Sequence, residues 1–159
     1  MPGYNSNNRS NNKGNSYGGN CYGSNQRPQL ETLPFTQLTK DNYVQMADDV
    51  ITHIMADRRN LLTTSQIRNL LSLNSEIYNS VVSSRCTILG ENIVSKLMYL
   101  KVRMVYESGR QKPVDIFIKN SHLIEHLDDI GTDKEKYMLF ARYMEALVAY
   151  RKFKGGQDD

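Results

Sequence analysis

Tryptophan is absent from the 159 residues, cysteine occurs twice and proline four times, and each scarcity narrows what the chain can be. No apolar run approaches the roughly 18 to 20 residues a bilayer-spanning helix requires, and the N-terminus lacks the apolar stretch of a secretory signal. The expectation is a soluble, cytoplasmic protein without a membrane partner. Cys21 and Cys86 are too few and too far apart to staple a small secreted domain, which points to free thiols in a reducing compartment. Signatures of catalysis are missing as well. There is no phosphate-binding glycine loop and no nucleophile elbow, and neither cysteine has a histidine beside it in sequence, so the chain reads as a non-enzyme needing no cofactor.

What is present is enough apolar material, 39%, for one modest domain with a single core. The net charge of +3 means little until it is divided. Residues 1–30 hold Arg9, Lys13 and Arg27 and no acid, whereas residues 31–57 hold Lys40 against five acids. Residues 58–112 carry nine bases against only Glu76, Glu91 and Glu107, and residues 113–159 are mildly acidic. The middle of the chain is its basic part.

Residues 1–33 are mostly Asn, Gly, Ser and Tyr, with too little apolar surface to offset the entropy of ordering a backbone, and are expected to be a disordered tail. Tyr4, Tyr17 and Tyr22, interleaved with Arg9 and Lys13, allow loose contact with RNA; a plain solubilising extension has the same composition. From Pro34 to Gly156 the apolar residues recur at steps of three and four in five stretches, which predicts an all-α domain, a compact bundle of five helices. The first is expected from Asp41 to Arg58, burying Tyr43, Ala47, Val50, Ile51 and Ile54. The second begins at Thr63, in a capping box with Gln66, and buries Ile67, Leu70, Leu71, Ile77, Tyr78 and Val81. The third runs from Glu91 to Ser108 and stops at Gly109. Pro113 suits the first turn of a fourth that ends near Gly131, and Thr132 with Glu135 form a capping box for a fifth that ends at Gly155 and Gly156.

The third helix carries the clearest surface pattern. At about 100° per residue, Lys96, Arg103 and Arg110 fall at heptad spacing on one side with Tyr99 and Tyr106 beside them, while Ile93, Leu97, Leu100 and Met104 face the core. A row of cations beside aromatic groups suits a nucleic acid backbone, because each base can displace condensed counterions from phosphates. A solvated helix face softened by Glu107 has the same pattern. Lys101 falls in the arc of Val94, Leu97 and Val105, so it must snorkel, form an intramolecular ion pair, or meet another subunit or a phosphate. Arg68, at the edge of the second helix's apolar face, raises the same question. A separate motif, His122, Glu125 and His126 in HLIEH, matches the spacing of inverted zinc peptidases. Such a site needs a third ligand and a deep cleft in a larger chain, so the pair reads as surface histidines on the polar side of the fourth helix, with Asp115 and Lys119.

Three blocks, LTTSQIRNLL at 62–71, YLKVRMVYESGR at 99–110 and YMEALVAYRKFKGG at 143–156, together resemble the small helical subunit of type III-A CRISPR-Cas effector complexes. The similarity extends from Leu61 to Gly156. The resemblance implies a non-catalytic protein present in several copies, stacked beside backbone and large subunits and lining the channel in which target RNA pairs with guide RNA. Carried over onto matching positions, it marks Arg68, Lys101, Arg103, Tyr106 and Arg110 as RNA-backbone or interface contacts. Helix geometry and charge alone add Lys96 and Lys112. Arg151, Lys152 and Lys154 lie in the third block but also suit a helix C-terminus on charge alone. A helical protein adaptor without RNA affinity is the competing expectation.

Overall fold

The computed structural model describes residues 30–57 and 62–155, besides Met1 and Gly3; the expected tail lies almost wholly outside the described residues. Among the described residues six helices follow one another: α1 (Tyr43–Ala56), α2 (Thr64–Val82), α3 (Glu91–Arg110), α4 (Lys112–Ser121), α5 (Leu123–Ile130) and α6 (Lys134–Phe153). Local chemistry explains most starts. Ahead of α1, Thr39 N donates to Asn42 Oδ1 at 2.7 Å and Asn42 N donates to Thr39 Oγ1 at 3.2 Å, closing the entering turn. At α2 the expected capping box is complete, with Gln66 N donating to Thr63 Oγ1 at 3.2 Å and Thr63 N to Gln66 Oε1 at 2.9 Å.

Four expectations are corrected. The third helix continues through Gly109 to Arg110, and Gln111 alone joins it to α4, whose first turn takes Pro113 at no cost in hydrogen bonds. The expected fourth helix is two, broken at His122, which sits in the left-handed region at φ 49°. A side chain with a Cβ is strained there, and His122 is held by a hydrogen bond between its Nε2 and the Leu33 carbonyl at 2.7 Å. The cap of the last helix is Asp133, not Thr132: the Asp133 carboxylate accepts from the amides of Glu135 and Lys136 at 2.8 and 3.2 Å. The Thr132 carbonyl is meanwhile engaged by the Leu89 amide at 2.8 Å, beside the isolated bridge between Ile88 and Asp133. Finally, Tyr43, Leu71 and Tyr78 are half-buried rather than buried.

The core is built around α6, which packs on α1, α2 and α5. Its Tyr137, Phe140, Ala141, Tyr143, Met144 and Leu147 are each no more than 2% exposed. Polar atoms that enter with them are partnered. Tyr137 Oη donates to the Asn74 carbonyl and Oδ1 at 3.2 and 3.1 Å, and Tyr143 Oη donates to the Ser121 carbonyl at 3.2 Å. Burial raises both hydroxyls far above the usual tyrosine range, so they stay protonated donors.

Arg151, which lies in the third block and on charge alone also suited a helix C-terminus, is buried. Its Nε donates to the Leu62 carbonyl at 2.7 Å and it lies against Met55, which pins the end of α6 to the residues entering α2. Arg151→Ala is expected to cost about 2–4 kcal/mol, because it strands a buried carbonyl and leaves a void. A urea melt checks this. Arg151→Lys should recover only part of the loss, since an ammonium does not reproduce the Nε donor geometry.

Candidate nucleic-acid interface

α3 turns Leu97, Leu100 and Met104 inward, with Ile93 half-buried, as its periodicity predicts. Its outward face is different from the expected polar one. Met98, Tyr99, Val102, Val105 and Tyr106 are all between 53% and 61% exposed, forming an apolar strip along the helix. The strip was readable as Met98, Val102 and Val105 at steps of four and three, a second apolar stripe on a helix that already had one. At about 100° per residue, Lys96, Arg103 and Arg110 lie along one flank of this strip and Lys101 along the other. The Arg103 guanidinium carbon stands 5.6 Å from the centre of the Tyr106 ring, a cation over an aromatic face.

The cations on this flank outnumber the carboxylates that hold them. Arg103 Nη2 reaches Glu107 Oε1 at 3.3 Å and Arg110 Nη1 lies 3.9 Å from Glu107 Oε2, so two guanidiniums share one carboxylate. In the next helix Lys112 and Lys119 likewise share Asp115, at 3.0 and 2.9 Å. Burial alone would push the Asp115 carboxyl up, but hydrogen bonds from Lys119, Ser108 and Lys112 outweigh it and hold the group at about 2. Lys96 is half-buried and meets no acid among the described residues. Lys101 is the exception. Its Nζ donates to both Asp128 oxygens, at 2.6 and 2.7 Å, the intramolecular ion pair that was one of its sequence readings.

Gln66 Nε2 donates to Gln111 Oε1, which joins the start of α2 to the end of α3. Arg68 is therefore at the same end of this helix pair as Arg110 and Lys112, exposed and with interactions of its own. Of the third-block bases, Arg151 is committed to the core, and Lys154 reaches Asp48 at 2.6 Å and Thr52 Oγ1 at 2.8 Å on α1. Both tie α6 to its neighbours.

The HLIEH histidines are not the surface pair expected. His126 is only 4% exposed, its ring packed 5.1 Å from Phe35 and 5.6 Å from Tyr143. His122 bonds the Leu33 carbonyl while Asn120 Oδ1 accepts from the Leu33 amide at 3.0 Å, and Phe35 packs edge-on against His122. The two rings clasp the segment leading into α1. Among the described residues no group of three His, Cys, Asp or Glu side chains could hold a metal.

A family model described as Csm2 Type III-A matches residues 38–157. A Mycobacterium tuberculosis protein named "CRISPR system Cms protein Csm2" is 38% identical over 120 residues, covering 75% of this chain and 96% of that protein. A Streptococcus thermophilus protein of the same name is 42% identical over 123 residues, covering 76% and 98%. One from Enterococcus italicus is 42% identical over 96 residues, covering 59% and 69%. The match begins before the first block that carried the sequence resemblance, taking in α1.

Burial, with a smaller push from His122, lowers the His126 pKa from 6.5 to about 4, against the opposing pull of Glu125 and Asp129. Between those two values the unfolded chain binds a proton that the folded chain does not, so stability is lost as pH falls from 6.5 towards 4. The corresponding window for Asp115, from 3.8 to about 2, lies below and does not overlap. Urea midpoints measured across the upper window should fall for the native chain and fall less for His126→Phe. Equal slopes would exclude His126 as the source.

Proposed function

The chain belongs to the Csm2 family of type III-A CRISPR systems, and on that premise we propose that it is a non-catalytic small subunit lining the channel in which guide RNA pairs with target RNA. Membership implies an effector complex of Cas proteins as its partner. In the proposed arrangement several copies stand beside the backbone and large subunits. Each holds the target strand through phosphates and riboses and reads no bases, so sequence choice rests with guide pairing, a division of labour known in another RNA-guided system.

The shared carboxylate on the α3 flank carries this reading. Because Arg103 and Arg110 share Glu107, a phosphate can engage one guanidinium without leaving the carboxylate bare. Lys96 offers a further positive charge at heptad spacing, and Tyr106 under Arg103 gives a ribose or base an apolar surface. Arg68 and Lys112 extend the row at its far end. Lys101 has the weaker part, since Asp128 already takes its charge. One small domain with few cations binds RNA weakly alone, and repetition along a complex raises avidity.

The exposed strip of Met98, Tyr99, Val102, Val105 and Tyr106 favours a second reading, an adaptor that seats this face on a neighbouring subunit and has no RNA affinity. Arg103→Glu with Arg110→Glu separates the two. In the assembled complex the double variant should bind target RNA at least tenfold more weakly at physiological salt, with helicity by circular dichroism unchanged. RNA binding that survives the change would make the flank a solvated face and leave the adaptor reading.

A further inference from the structure

Residues 85–88 and the first turns of α6 form the two walls of an open cleft of about 780 Å³, lined among others by Lys40, Arg85, Ile88, Lys134, Met138 and Arg142. Its two walls are fastened together. The Leu89 amide donates to the Thr132 carbonyl at 2.8 Å, the Lys134 amide donates to the Thr87 carbonyl at 3.3 Å, and Lys134 Nζ donates to the Ser84 carbonyl. The cleft is therefore formed before any ligand arrives, and its volume is in the range of sites that hold small ligands, roughly 300–1,000 Å³.

Its charges do not balance. Four bases, Lys40, Arg85, Lys134 and Arg142, stand against two acids: Asp133, whose carboxylate caps α6 and keeps its charge, and Glu135, which is paired with Lys40 at 3.2 Å. Lys134 donates to a carbonyl, which satisfies its hydrogen atoms but not its charge. Arg85 on one wall and Arg142 on the other are exposed and make no hydrogen bond or ion pair among the described residues. Ile88, 66% exposed on the wall of Arg85, and Met138, on α6 with Arg142, supply apolar surface. Unmatched guanidiniums on opposite walls, each with an apolar side chain on its own wall, fit a ligand whose anionic groups alternate with flat apolar ones. Forked donors suit phosphate oxygens, and a base can lie against Ile88 or Met138.

We propose that this cleft is a second nucleic-acid site, separate from the α3 flank, in which Arg85 and Arg142 hold successive phosphates of a single strand over Ile88 and Met138. The identity of that strand as RNA rests on the function proposed above; the site itself rests on the cleft's own charges.

Cys86, an exposed free thiol in the cleft wall, reports occupancy directly. In the full chain with Cys21→Ser, alkylation of Cys86 by iodoacetamide at low salt should slow several-fold when a short oligouridylate is added. Arg85→Gln with Arg142→Gln should abolish that protection, while Arg103→Glu with Arg110→Glu should leave it. Unchanged alkylation in the presence of oligouridylate, or protection that survives loss of both arginines, overturns the site. Equal or better protection by oligoglutamate also overturns it, in favour of an acidic protein segment. The α3 variant's loss of target RNA in the assembled complex is read independently, so the function proposed above can stand while this site falls, and the reverse.

Discussion

A phenol hydroxyl or a guanidinium can be buried only where an acceptor waits for it, and α6 carries three such groups into the core. Tyr137 finds Asn74 on α2, Tyr143 finds the Ser121 carbonyl at the end of α4, and Arg151 finds the Leu62 carbonyl ahead of α2. Apolar packing tolerates a helix sliding by part of a turn; these bonds do not. A shift of α6 would strand three buried donors at once, each costing about 1–3 kcal/mol. The register of α6 thus sets where α2 and α4 sit, and α3, packed on α2, α4 and α5, is left with a whole face turned outward.

That outward face divides into an apolar strip and a basic flank, and the division has a physical basis. Apolar side chains at the centre favour a dry contact with protein, whereas cations at the edge stay hydrated until a counterion replaces water. Each cation pair on the flank is anchored by one buried-side acid, Glu107 or Asp115, both 14% exposed at the side chain. The acids fix where the long side chains point without cancelling their charge. Preset cations lose less conformational freedom when a phosphate arrives, which suits a surface that must meet a backbone of regular spacing.

Features set by neighbours in sequence were legible; features set across the fold were not. The Thr63 and Gln66 capping box and the inward faces of α1, α2 and α3 depend on residues a turn apart and were readable, but for Tyr43, Leu71 and Tyr78 at the edges of those faces. Three blocks of residues also carried the family. The break at His122 was not readable, because it depends on the Leu33 carbonyl far earlier in the chain. Arg151 looked like a helix-end charge for the same reason, its partner Leu62 being remote. Thr132 and Asp133 are equally good caps on local rules, and the Leu89 amide decided between them. At the candidate site, the cation row was legible and its acids were not all so. Glu107 is within reach on the same helix, but Asp128 meets Lys101 only because α5 packs on α3.

The same rule accounts for the cleft beside α6. A capping role holds Asp133 at the start of α6 and an ion pair holds Glu135 on Lys40, so both acids keep their charge but neither is bonded to Arg85 or Arg142. The deficit arises from structural demands, since α6 needs a cap at the point where the bridge at Ile88 meets it. Substituting Asp133 would therefore act twice, weakening the helix start and changing the potential of the cleft, whereas substituting Arg142 changes the potential alone. A basic surface whose acids are committed to holding the fold keeps its charge over a wide pH range, and neither the α3 flank nor the cleft relies on a histidine for its sign.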